Sequence, residues 1–251
     1  MKKFIKENWK FLLIVLIGGI IGGYCTGLYS YDILSEDMLR QLQEQNITKG
    51  MLTIITTYQY GILYGFGLAI LGIILSKKIN LWKEFKFDKK AAIVTLIITV
   101  IAGITLFPGD KIIFGQLNEW VNSQYTTNPT IYKIIAELLT GGITEEVMLR
   151  LFLMSLVVFI ISKVFYRKKE ISTKAYIIAN IITAILFAAL HLPLTAQSTT
   201  ITPVLLFRCF LFNVGFGLCF GYLYRKYGIG YAMISHGFTH LIADTLMIIF
   251  I

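Results

Sequence analysis

The chain has 251 residues, 56% of them hydrophobic and 15% charged. Its mean hydropathy is +0.72. A soluble domain carries about a quarter charged residues, so this composition argues against a soluble globular protein. A formal net charge of +9 raises nucleic acid as a partner, and the placement of that charge excludes it below.

The apolar residues are gathered into long blocks, which predicts membrane-spanning helices, because a backbone in lipid must satisfy its own hydrogen bonds. In chain order the blocks run from Phe11 to Tyr29, Met51 to Ser76, Ala91 to Pro108, Ile131 to Ser162, Ala175 to His191, Pro203 to Tyr224 and Ile229 to Ile251. The first follows Lys2, Lys3, Lys6 and Lys10, like a signal peptide, but it is longer than an ordinary signal core and lacks an A-x-A site. It reads as a retained span. The fourth block would extend about 48 Å as one helix, against a hydrocarbon core of about 30 Å. Gly141-Gly142 offers a place to break it, giving a short surface or re-entrant helix and a span from near Ile143. The expectation is therefore an all-α polytopic bundle of seven spans, or eight with that break, forming one membrane domain over residues 1–251 with the motifs in 143–244.

Counting alternate loops places 17 of the 23 Lys and Arg residues on one side: the N-terminus, the 77–90 and 163–174 loops and the Arg225-Lys226 turn. That side is expected to be the cytoplasm, with the N-terminus inside a cell membrane crossed several times. The charge thus serves topology and anionic headgroups, and no nucleic-acid partner is expected. Cys25, Cys209 and Cys219 lie in apolar blocks without metal-ligand spacing and read as small buried residues.

Ionisable side chains at membrane depth cost on the order of 2.5 kcal/mol or more each, so they need partners or a task. They gather in three places: Glu145, Glu146 and Arg150 in the fourth block, His191 at the end of the fifth, and His236, His240 and Asp244 in the seventh. All three histidines of the chain are in this set. Glu146 and Arg150 are i,i+4 neighbours able to pair, which leaves Glu145, about 100° around the helix, free to face elsewhere. His236, His240 and Asp244 line one stripe of the last helix. A carboxylate with two or three imidazoles, sheltered from bulk water, can bind a metal or activate a water. Taken singly, Glu137, Asp244 and Arg208 read as helix-packing polar residues or interface-snorkelling side chains.

At these residues the sequence resembles the CAAX-protease and bacteriocin-processing family of intramembrane peptidases, also called the Abi family. Its Glu-Glu-x-x-x-Arg motif is matched by Glu145, Glu146 and Arg150. Its Phe-x-x-x-His motif is matched by Phe187 and His191, with Leu192 following. A later His after a basic and glycine-containing turn, here Arg225-Lys226-Tyr227-Gly228, is matched by His236. The sequence departs from the pattern at Leu151, where Gly often stands, and at His240, where Asn often stands. The resemblance implies that Glu145 with His191 activates water, that Glu146, Arg150 and Phe187 support the site, and that His236 and His240 polarise the carbonyl and stabilise the oxyanion. In a metal-dependent version, Glu145, His191 and His236 would hold a divalent ion such as zinc. The implied partners are the lipid bilayer and a peptide or membrane-protein substrate, in bacteriocin self-immunity or peptide maturation. Two other classes fit parts of the pattern: a non-enzymatic immunity protein, and a metal or proton transporter using the His236–His240–Asp244 stripe.

Overall fold

The computed structural model describes residues 2–166 and 170–251. Arg167, Lys168 and Lys169, three of the basic residues assigned to the 163–174 loop, lie outside the described residues. Every regular element among the described residues is helical. In chain order these are α1 (Lys2–Asp32), α2 (Glu36–Glu44), α3 (Lys49–Lys78), α4 (Lys89–Leu117), α5 (Glu119–Ser123), α6 (Ile131–Tyr166), α7 (Thr173–Ser198), α8 (Pro203–Tyr227) and α9 (Ile229–Phe250). All except α2 and α5 are long and apolar enough to cross a membrane, which makes seven among the described residues.

The starts of these helices are written in the sequence. Thr48, Asp88, Thr130 and Thr202 each accept a hydrogen bond from a backbone N–H of the first turn of the helix that follows, as N-caps do. Pro203 then opens α8 at a position where no N–H is needed. The turn between α8 and α9 is made by Gly228, whose φ of 106° is open to glycine. The helices run past the apolar blocks at most ends, because polar residues such as Lys89 and Lys77 continue the helix without belonging to the hydrocarbon zone.

The bundle is apolar outside as well as inside. On α4 the outward residues Ile93, Leu96, Ile97, Ile101 and Ile104 are exposed, while Thr95, Thr99 and Gly103 are buried. Water would not tolerate such a face, whereas lipid is its proper solvent. Helix contacts accordingly use small residues and interhelical hydrogen bonds. A Cβ on Gly19, Gly23 or Gly27 of α1 would meet α3 backbone atoms at 2.7, 2.7 and 2.5 Å, so this row lets α1 lie against α3. Thr26 and Thr140 join α1 to α6 at 3.0 Å, Thr99 donates to Ser235 across α4 and α9 at 3.0 Å, and Asn180 donates to the Leu218 carbonyl across α7 and α8 at 2.9 Å.

The break expected at Gly141-Gly142 does not occur, and with it the eighth crossing disappears. α6 runs through the pair, with wide i→i+5 turns over Glu137–Glu145 and Val147–Met154. Such π turns advance less per residue than α turns and often mark functional positions. They shorten the long fourth block without interrupting its hydrogen bonding. The glycines serve a close approach instead. A Cβ on Gly142 would lie 2.8 Å from Gly237 Cα, backbone against backbone, so α6 and α9 pack at glycine distance.

Candidate active site

α6 and α9 present two facing stripes of residues spaced by four, and because the helices are antiparallel these pair layer by layer. Nearest the face opposite the N-terminus, Lys133 Nζ bonds Asp244 Oδ1 at 2.6 Å and Glu137 Oε1 at 2.9 Å. One turn deeper, Glu137 Oε2 lies 3.4 Å from His240 Nδ1. Next comes Gly141, with the two imidazoles opposite it, their Nε2 atoms 3.2 Å apart. Deepest, Glu145 Oε2 stands 3.9 Å from His236 Nε2. The stripe predicted for α9 is present, and it meets a second stripe on α6.

Glu146, on the neighbouring face of α6, is fully buried. Its Oε1 is 2.9 Å from Arg150 Nη1 and accepts a hydrogen bond at 2.8 Å from His236 Nδ1–H. The predicted Glu146–Arg150 pair is therefore a triad that also orients a site histidine. Arg150 Nη2 donates to the Gly217 carbonyl at 3.2 Å, and its guanidinium lies over the rings of Phe187 and Phe220 at 4.8 and 5.6 Å. Phe220 also stacks on His236 at 4.6 Å. A planar cation held by a carboxylate, a carbonyl and two aromatic faces accounts for arginine inside the bundle.

His191 is not at a helix end, since α7 continues through Pro193 to Ser198. Proline removes one backbone donor without halting the helix. The imidazole donates from Nδ1 to the Phe187 carbonyl at 2.8 Å and sits edge-on to the Phe187 ring at 4.7 Å. With Nδ1 carrying the proton, Nε2 keeps a basic lone pair. Phe187 is thus shared by His191, Arg150 and, at 5.9 Å, His236. The three helices carrying the motifs meet at one depth, although α6 extends to Tyr166, well beyond its site residues, and α9 begins close to His236. The excess length of α6 ends in exposed Val164 and Phe165.

Glu145 is partly accessible, with 28% of its side chain exposed, against 4% for His236. Its ionic neighbour is His236, and it makes no direct bond to His191. Among the described residues no three His, Cys, Asp or Glu side chains converge as a metal-holding group. Glu145, His191 and His236 therefore do not assemble in this structure into the ligand triad of the metal-dependent version. Cys25 and Cys209 are buried as expected, whereas Cys219 is only half-buried.

Three residues given a packing role from sequence carry more than that. Glu137 and Asp244 belong to the charged stripe. Arg208 holds buried Asp110 through two hydrogen bonds, and the Tyr125 hydroxyl donates to the same carboxylate at 2.7 Å. Burial, and then the adjacent Asp110 carboxylate, push the Tyr125 hydroxyl far above its ordinary pKa, so it remains a donor. This second cluster ties the 118–130 connection to α8. The i,i+4 relation of Lys133 to Glu137 was visible in the sequence, but its alignment with His240 was not.

Gly141 and Gly142 give a paired expectation. A methyl on Gly141 would fit at 3.4 Å from His236 Nε2 and 3.4 Å from His240 Cδ2, covering the space before both rings. Gly141→Ala is expected to fold with unchanged thermal stability and to lose most turnover. Gly142→Ala must push α9 away and is expected to lower stability by about 1–3 kcal/mol. Melting curves of the two purified variants, read beside cleavage rates, check both.

With this geometry in place, residues 127–242 match the family described as Type II CAAX prenyl endopeptidase Rce1-like. That segment, which holds all three motifs, is similar to the CAAX-protease type of intramembrane endopeptidase, in line with the sequence resemblance. No curated protein and no solved structure matches the chain.

Proposed function

We propose that this protein is a metal-independent intramembrane endopeptidase that hydrolyses a peptide bond in a membrane-associated peptide or protein. The observation that carries the reading is the meeting of Glu145, His236 and His240 between α6 and α9, with His191 held on the same Phe187 ring that backs Arg150. Glu145 takes a proton from a water that the free Nε2 of His191 helps to orient by accepting its other hydrogen. The hydroxide adds to the scissile carbonyl, and the same proton passes to the amine nitrogen as the C–N bond breaks.

His236 donates a hydrogen bond from Nδ1–H to Glu146, the ion-pair partner of Arg150, so its Nε2 has a lone pair facing His240. The N–H between the two Nε2 atoms is then the donor that turns to the oxyanion. His240 supplies it, in the position where the family pattern often has Asn. His240→Ala is expected to lower turnover as loss of an oxyanion donor does, by about 2.7–4 kcal/mol of transition-state stabilisation. His240→Asn keeps a donor and is expected to retain turnover within roughly tenfold of wild type. Equal, near-total loss in both, measured on one substrate, would contradict the hydrogen-bond role.

The reaction class is what the family match supports, while the prenylated CAAX substrate in its description belongs to the described members. Our proposed setting is a cell membrane with the N-terminus in the cytoplasm, supported by the one-sided Lys and Arg distribution, in peptide maturation or bacteriocin self-immunity. The test is cleavage of membrane-anchored peptides by the protein in liposomes, read by mass spectrometry in ¹⁸O-water. One labelled oxygen in the new carboxyl terminus is expected. Products absent from wild type under all substrate pools would overturn the reading.

A further inference from the structure

We propose that Glu137 is a positioning residue for His240, holding its Nδ1–H so that a proton is kept between the two Nε2 atoms, ready for the substrate oxygen. This rests on the peptidase reading above and adds a residue that lies outside all three motifs. Each imidazole has a carboxylate behind it: Glu146 at 2.8 Å from His236 Nδ1, and Glu137 at 3.4 Å from His240 Nδ1. If each ring gave only its Nδ1 proton to its carboxylate, two bare lone pairs would face each other at 3.2 Å. The surroundings favour a shared proton there instead. Four carboxylates, Glu137, Glu145, Glu146 and Asp244, are near the pair, against two cations, Lys133 and Arg150.

Glu137 is itself aimed. Lys133 holds its Oε1 and also bridges to Asp244, which leaves Oε2 as the oxygen nearest His240, at the ion-pair distance of 3.4 Å from its Nδ1. Asp244 Oδ2 has no hydrogen-bond partner, so the Lys133 bridge is what fixes that carboxylate. A purely structural ion cluster would need only Lys133, Glu137 and Asp244. The turn toward His240, at the one motif position where this sequence carries an imidazole, is the feature such a cluster does not explain. An Asn at that position could not hold a proton for its neighbour in this way, so Glu137 and His240 form a functional pair.

The test is a double-mutant cycle. Glu137→Gln is expected to lower kcat about tenfold or more in the wild-type protein, as loss of an acid–base partner does, with KM and thermal stability little changed. In the His240→Asn background the same substitution is expected to change kcat by less than about twofold, since the group it acts through is gone. Glu137→Asp, which keeps the carboxylate, is expected to restore part of the loss. A kcat loss of equal size in both backgrounds, or wild-type kcat in Glu137→Gln, would overturn the proposal.

A second readout does not depend on turnover. ¹⁵N spectra of labelled histidine at fixed neutral pH, assigned with single His→Asn variants, are expected to show both His240 nitrogens protonated. Glu137→Gln should remove one of those protons. An inert wild-type protein that keeps this signature sinks the peptidase reading alone, whereas a His240 spectrum indifferent to Glu137→Gln sinks the positioning role alone.

Discussion

Glu145→Gln is expected to leave a folded, membrane-inserted protein whose cleavage rate falls by roughly 10²–10⁴, the contribution of a general base. The substitution keeps the shape of the side chain and removes its ability to take a proton. The fold should be indifferent to it, because Glu145 is partly exposed and its ionic neighbour is His236 at 3.9 Å. The geometry of Glu146, Arg150 and His236 is untouched. Rates on a membrane-anchored peptide, with melting curves beside them, decide the point. A Glu145→Gln protein that turns over at the wild-type rate removes Glu145 from the chemistry.

Arg150→Ala is expected to act on the fold. Arg150 is almost wholly buried and answers four groups at once: Glu146, the Gly217 carbonyl and the rings of Phe187 and Phe220. Its contact with Glu146 is an ion pair at 2.9 Å without hydrogen-bond alignment, and Glu146 Oε2 has no hydrogen-bond partner. Removing the guanidinium strands a carboxylate in a low-dielectric interior, which costs about 3–5 kcal/mol. Arg150→Lys should rescue little, since an ammonium cannot both fork to Glu146 and Gly217 and lie flat between two rings. Folded yield in detergent and the melting temperature measure this. Unchanged stability with lost turnover would instead assign Arg150 a direct part in the reaction.

The spans were legible because lipid leaves a simple record: long apolar blocks, and polar residues only where something requires them. Glu145, Glu146, Arg150, His191, His236 and His240 stood out for the same reason, and their motif spacing gave the class. Glu137 did not stand out, because a single carboxylate near the end of an apolar block reads as a helix-packing or interface residue until the antiparallel register of α6 and α9 is known. That register also reverses the meaning of Gly141-Gly142. In sequence two glycines suggest an interruption, but between two packed helices they are the absence of side chains where backbones and imidazoles must come close. The metal ligand set was not legible for a related reason: ligand types in three helices say nothing about whether their side chains converge on one point, and among the described residues no three of them do.

The wide turns of α6 make its numbering tolerant in one particular way. Over Glu137–Glu145 each backbone N–H reaches back five residues, so the segment holds more chain per turn than an ordinary helix. Deleting a single residue there, such as Leu139, would let a turn close to i→i+4 without unsatisfied backbone groups. That closure takes up the surplus residue, so Lys133 and Glu137 would stay near the face that meets Asp244 and His240. The same deletion in α9, between His240 and Asp244, has no surplus to absorb it and would turn the end carrying Asp244 by about 100°. A change of length is therefore buffered on one helix of the charged stripe and disruptive on the other, with every side chain of the stripe still present.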